Sequence, residues 1–287
     1  MKKRLLSILL AAALLCSPVL ASGTHDVTAE FDSDLGSVKL DTEKGTAGDN
    51  IYFTVTPNAM YTPENPKITT ASGTAVQCYA SGEEDGAYKY YFSMPDDAVT
   101  VSVSFTGPFD DVAASDWFCK EVLRAYSAGL MTGTGERLFS PNAPATRAML
   151  VTTLHRLAGS PEAEGGGFTD VSGAAYYAAA VAWASKNGVV EGYEDGSFRP
   201  DEPIAREQLA AVLYRYAVSR GIDVTASGDL SAYADTGSVS SWAADAMRWA
   251  TGAGVLSGTA SGLEPQGTAT RAQAAAMLVR FTDIVGQ

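Results

Sequence analysis

Residues 145–148 (Ala-Thr-Arg-Ala), 204–207 (Ile-Ala-Arg-Glu) and 269–272 (Ala-Thr-Arg-Ala) are three versions of one short text, each opening an apolar-periodic helix after a Gly/Phe/Pro-rich loop. Their arginines, Arg147, Arg206 and Arg271, recur roughly 60 residues apart. Asp111, Asp170 and Asp235, and then Pro141, Pro200 and Pro265, keep nearly the same offsets. A fixed internal period means that one unit was copied, and units of this size bury their apolar faces against each other.

Each unit reads as two helices. Val122, Ala125 and Gly129 in the first copy match Val181, Ala184 and Gly188 in the second and Met247, Ala250 and Gly254 in the third. The glycine just past each periodic stretch is a helix stop, because only Gly adopts the left-handed conformation there at little cost. The second helix sets Leu150, Leu154 and Leu157 on one face, then Leu209, Leu213 and Tyr216, then Ala274, Leu278 and Phe281. Residues 165–167 (Gly-Gly-Gly) and 220–230 read as connectors.

Ahead of the repeats, residues 27–105 have a different period. Stretches 38–40, 51–55, 88–92 and 99–105 read as strands, and the last alternates apolar and hydroxyl residues as a half-buried strand does. Turn clusters such as Thr56-Pro57-Asn58 separate them. The period changes at Thr106-Gly107-Pro108, which places a domain boundary there. The N-terminus (Met1-Lys2-Lys3-Arg4, an apolar run to Leu15, small residues near Ala21) reads as a secretory signal peptide over residues 1–21. Its core is too short for a membrane span. Cys16 raises the alternative of a lipid anchor, but Leu15 stands where a small residue is expected.

The formal net charge is −13, and loss of a signal peptide carrying three cations makes it more negative. Such a field repels nucleic acid and anionic lipid, so any polyanion must be met by local basic pockets. Cys78 and Cys119 are two isolated cysteines in different domains, which is no disulfide framework; buried thiols and a disulfide between them both remain open.

Phe109-Asp110-Asp111-Val112, Trp117, Gly129-Leu130-Met131-Thr132-Gly133, Phe139-Ser140-Pro141 and Thr146-Arg147-Ala148, with the fuller second copy at residues 192–200 (Gly-Tyr-Glu-Asp-Gly-Ser-Phe-Arg-Pro), resemble S-layer homology (SLH) domains. The resemblance runs from about residue 109 to residue 284 in three copies. It implies a pseudo-threefold spindle of helical units that attaches a surface protein to a secondary cell-wall polymer, often pyruvylated, or to another peptidoglycan-linked glycan. It also implies that the Arg of a Thr-Arg-Ala-Glu motif lies in grooves between units. This chain keeps all three arginines but has Met149, Gln208 or Gln273 at the last motif position and Ala205 in place of Thr. Residues 91–105 resemble the closing strands of the divergent internalin B-repeat family, whose members are spacer or adhesive modules.

The motif has a physical reading of its own. Thr146 and Thr270 stand at N-cap positions, and Gln273 completes a capping box. The Arg that follows opposes the helix macrodipole three times over, and such a repeated violation points to a purpose. Free helix amides beside a guanidinium would grip a carboxylate. The alternative is an Arg paired with an acid such as Asp111 or Asp170, stapling units together. Trp117, Tyr176 and Trp242 share one place in their units; packing is the common role for repeat aromatics, and stacking on a sugar ring at a groove edge is the functional one. Trp183 and Trp249 correspond to Arg124, which suggests a position near the surface.

Only His25 and His155 are present, and no Ser/His/Asp set, metal cluster or phosphate loop is visible. The sequence therefore leads to these expectations: a multidomain chain with a small all-β domain (24–106) followed by an all-α pseudo-threefold bundle of repeats at 109–160, 168–220 and 233–285. It would be a secreted, non-enzymatic protein of the cell surface or S-layer, with no cofactor, metal, nucleic-acid partner or membrane span. Arg147, Arg206, Arg271, Trp117, Tyr176 and Trp242 would bind the polymer. The rival readings are a wall-associated glycan-active enzyme and an adhesin, each acting through the β domain.

Overall fold

The computed structural model describes residues 23–165 and 167–286. The expected signal peptide at 1–21 and the Cys16 alternative lie outside the described residues. The chain divides into two units, residues 1–106 and 107–287, each with its own apolar core.

In the first unit, period-two alternation produces two sheets. The strands are β1 (Thr24–Phe31), β2 (Gly36–Leu40), β3 (Lys44–Thr46), β4 (Asn50–Pro57), β5 (Thr62–Pro63), β6 (Lys67–Thr70), β7 (Ala75–Val76), β8 (Tyr79–Glu84), β9 (Ala87–Ser93), β10 (Val99–Val103) and β11 (Phe105–Thr106). One sheet has the order β3-β1-β10-β6-β7 and the other β2-β4-β9-β8, with a small β11-β5 pair beside them. Ile51, Phe53 and Val55 of β4 and Phe92 of β9 face Val99, Val101 and Val103 of β10, forming the core of a sandwich. β1 runs parallel to β10, pairing Val27 with Val99 and Phe31 with Val103.

Among the described residues the second unit holds six α-helices: α1 (Cys119–Ser127), α2 (Arg147–Leu157), α3 (Ala178–Lys186), α4 (Arg206–Ser219), α5 (Ala244–Gly252) and α6 (Arg271–Val285). Val122, Val181 and Met247 are fully buried, as are Leu154, Leu213 and Phe281. Gly129, Gly188 and Gly254 take φ of +67°, +67° and +74°, which fits the helix-stop reading. The second helix of each repeat packs on the first helix of the next: α2 on α3, α4 on α5, and α6 back on α1.

The expected all-α bundle is corrected by the segments that enter α2, α4 and α6. These are extended and paired across repeats by the β-bridges Pro144↔Thr270, Thr146↔Pro203 and Ala205↔Thr268. Further bridges close the loops at Gly135↔Leu138 and Thr259↔Gly262. The repeat region thus mixes helices with short extended pairings. Pro144 and Pro203 disfavour the helical conformation just before them, and the extended backbone that follows satisfies its amides on a neighbouring repeat. Segments of three residues leave no periodicity to read.

The surface reading of Trp183 and Trp249 is also overturned. Both are buried, and Trp249 packs against Tyr214 and Phe281. Their counterpart Arg124 instead lies at an edge, where its guanidinium pairs with Asp283 of α6.

Candidate binding grooves

Three backbone hydrogen bonds form a closed triangle at the centre of the repeats. Ala145 N–H donates to Ala269 C=O, Ala269 N–H to Ile204 C=O, and Ile204 N–H to Ala145 C=O, each at 2.9 Å. All three residues are buried. Directly after each comes the N-cap position and then the arginine. The Thr146 and Thr270 hydroxyls accept from Met149 N–H and Gln273 N–H, and the Gln273 side chain accepts from Thr270 N–H. In the second copy Gln208 returns its bond to Ala205 N–H, while Ala205 has no hydroxyl to cap the helix.

The arginines are buried, at 8%, 4% and 6% exposure for Arg147, Arg206 and Arg271. Each reaches the next repeat through Nε and Nη2. Arg147 donates to the carbonyls of Phe198 (2.8 Å) and Glu191 (3.2 Å). Arg206 donates to Leu263 (2.8 Å) and Ser257 (2.9 Å), and Arg271 to Phe139 (2.8 Å) and Thr132 (2.7 Å). The stapling alternative is therefore right about the connection and wrong about the partner, since backbone carbonyls take the place of acids. Burial pushes all three guanidinium pKa values down, and aligned carbonyls offset part of that cost.

Helix amides do not supply the expected anion receptor. Arg147 and Ala148 donate their N–H groups to Glu202 and Pro200 carbonyls; Arg206 and Glu207 donate to Gly267 and Pro265, and Arg271 and Ala272 to Ala143 and Pro141. These helix starts are already satisfied by the neighbouring repeat, which also explains how a cation is tolerated there: carbonyls face it.

The repeated aspartates hold the loops that carry those carbonyls. Asp111 accepts from Phe139 and Ser140 N–H, Asp170 from Phe198 and Arg199, and Asp235 from Leu263 and Glu264. In each case the second donor is a non-glycine residue in the left-handed region, with φ of +57° at Ser140, +57° at Arg199 and +48° at Glu264. A two-pronged carboxylate compensates for that strain.

Trp117, Tyr176 and Trp242 are 61%, 70% and 56% exposed, so packing is not their main role. Trp117 lines a groove of about 330 Å³ together with Arg206, Ser257, Gly258, Thr259, Gln273 and Arg280. That groove draws on all three repeats. Tyr176 lies within electrostatic reach of Arg271. No helix among the described residues is long and apolar enough to cross a membrane.

A family model for the S-layer homology domain matches residues 108–148, 167–210 and 232–275. The chain carries three S-layer homology domains. Among curated proteins, an endoglucanase of Bacillus sp. (strain KSM-635) is 30% identical over 173 residues, which is 60% of this chain and 18% of that protein. The surface-layer 125 kDa protein of Lysinibacillus sphaericus is 30% identical over 191 residues, covering 64% of this chain and 16% of that protein. A cellulosome-anchoring protein of Acetivibrio thermocellus is 30% identical over 112 residues, covering 32% of this chain and 25% of that protein. The chain thus spans a quarter or less of each of these relatives. The SLH matches leave residues 1–107 outside, and nothing in them supports the internalin B-repeat resemblance.

The SLH repeats contain a further set of recurring arginines outside the Thr-Arg-Ala motif. Arg156, Arg215 and Arg280 stand at the same place on α2, α4 and α6, each the same distance along its helix from Arg147, Arg206 or Arg271. Their regular offset was legible in the sequence. Gly258 was harder to find: a Cβ there would lie 2.4 Å from the Tyr233 ring, a tertiary constraint.

Proposed function

We propose that this protein is a non-enzymatic anchor that attaches to cell-wall polysaccharide through the grooves between its SLH domains and presents its β-sandwich at the cell surface. The observation that carries this reading is the groove at Arg206, where a buried cation and an exposed indole from different repeats line one cavity. An aromatic face covers the apolar side of a sugar ring, and a guanidinium takes an acidic substituent such as a pyruvyl carboxylate. The surface-layer and cellulosome-anchoring relatives lend support, since their names describe attachment and surface layers. The signal-like N-terminus supports secretion as part of this reading.

The cleanest test leaves the structural arginines alone. Trp117, Tyr176 and Trp242 are exposed, so the triple change to Ala should preserve the circular dichroism spectrum. Loss of sedimentation with purified cell-wall sacculi is the expected result. A folded triple variant that sediments as the wild type does would refute the groove reading.

A further inference from the structure

The three grooves share a plan but differ in what lies beyond the guanidinium. At Arg147 the space is filled by Tyr193, whose ring centroid is 5.0 Å from the guanidinium carbon. Tyr193 is fixed from its other side by Arg199 at 3.8 Å, and its hydroxyl donates to Glu202 at 3.1 Å. Glu191 and Asp195 add exposed carboxylates to the same loop. At Arg271 the remaining nitrogen, Nη1, meets the Met149 sulfur at 3.7 Å. Both guanidiniums also lie over a phenylalanine ring, Phe198 at 4.7 Å and Phe139 at 4.6 Å, so part of their charge is balanced by a π face.

Arg206 differs in each respect. Leu263 replaces the phenylalanine, and Thr259 stands where the second repeat has Tyr193. Its Nη1, like that of Arg147, has no hydrogen-bond partner among the described residues, but no aromatic ring covers its guanidinium as Tyr193 and Phe198 cover that of Arg147. It lines the groove of about 330 Å³. A second cation lines the same groove: Arg280 Nη1 donates to the Ser257 hydroxyl at 3.1 Å, while the Ser257 carbonyl accepts from Arg206 at 2.9 Å. One serine is therefore held by both arginines. The acid facing Arg280 is Glu121, 3.9 Å from its Nη2, which leaves the guanidinium loosely paired. The counterparts of Arg280 are placed otherwise. Arg156 donates to the Leu130 carbonyl at 3.0 Å, and Arg215 has no hydrogen-bond or ion-pair partner among the described residues.

We propose that the Arg206 groove is the principal ligand site of the three and that Arg280 is its specificity-determining residue, selecting a glycan that carries an anionic substituent, a carboxylate or a phosphate. The inference rests on the wall-binding reading above and narrows it to one groove. Arg206 can offer Nη1 while its Nε and Nη2 stay on their carbonyls, the loosely paired Arg280 can turn toward the same anion, and Trp117 provides the face for the sugar that bears it.

The test uses the full chain and sacculi of the producing cell. Arg280→Gln keeps a long polar side chain on a half-exposed helix position, so it should fold; it is expected to weaken sedimentation at least tenfold. Arg156→Gln, Arg215→Gln and Tyr193→Ala should stay within twofold of the wild type, and Trp117→Ala should weaken binding more than Tyr176→Ala or Trp242→Ala. Glucuronic acid or glucosamine 6-phosphate should compete, separating the carboxylate source from the phosphate source, and N-acetylglucosamine should not. Equal losses from all three repeats, an unaffected Arg280→Gln variant, or equal competition by the neutral sugar would each overturn the inference while wild-type binding upholds the anchor. A wild type that fails to sediment would remove both.

Discussion

At Asp235 the amides of Leu263 and Glu264 converge on one carboxylate and hold its pKa below the usual range. Asp170 is pushed up by partial burial, but the Phe198 and Arg199 amides outweigh that and leave it lowered as well. Asp195, bonded first by Ser197 and then by Arg199, is lowered to about 2. A folded-state pKa below the unfolded value of about 4 means that the folded chain binds fewer protons, so these bonds stabilise at neutral pH and are lost on acidification. The thermal midpoint should stay level from neutral pH down to about pH 5 and fall steeply between about pH 4 and 2. Asp235→Asn should lower the midpoint at pH 7 and flatten the acid limb; a variant with the wild-type profile would show that this carboxylate does not hold the loop. The recurrence of Asp111, Asp170 and Asp235 was visible in the sequence. Their role was not, because the donors lie 28 and 29 residues away and are main-chain groups common to every residue.

Among α2, α4 and α6, the helices that begin with the repeated arginine, α4 is the one whose start lacks a side-chain cap. Ala205 has φ −73° and ψ 154°, close to Thr270 at −76° and 163°, so the backbone is already arranged for a capping hydroxyl. Ala205→Thr should therefore add about 1 kcal/mol of stability, measured by denaturant unfolding. No gain would mean that Thr is blocked sterically by the bridge to Thr268. Helix faces were largely legible, since Leu150, Leu209 and Leu278 fall where the 3.6 period puts them. The position shared by Arg124, Trp183 and Trp249 was misread because one charged copy was taken to speak for all three. Two copies bury indoles between helices, while the third meets Asp283 at an edge. The entry strands escaped notice because their partners belong to other repeats. Strand β1 similarly owes its place to Val99–Val103, far along the chain.

On the scale of the whole molecule, two separate apolar cores predict two calorimetric transitions, one for residues 23–106 and one for the repeats. The repeats should melt as one unit, because Arg147, Arg206 and Arg271 each tie one copy to the next and α6 returns to α1. A chain cut after residue 231 should lose the second transition altogether rather than a third of it. Independent melting of the remaining two copies would argue against this closure.

The triangle formed by Ala145, Ile204 and Ala269 has a consequence for how such a protein can lengthen. An open solenoid accepts another copy at either end, since its last repeat exposes a face like the one it covers. Here every donor in the triangle already has its acceptor, and a fourth copy could enter only by breaking a bond that closes the other three. Copy number is therefore set by geometry, and gene duplication could extend this array only by supplying a second complete set of three.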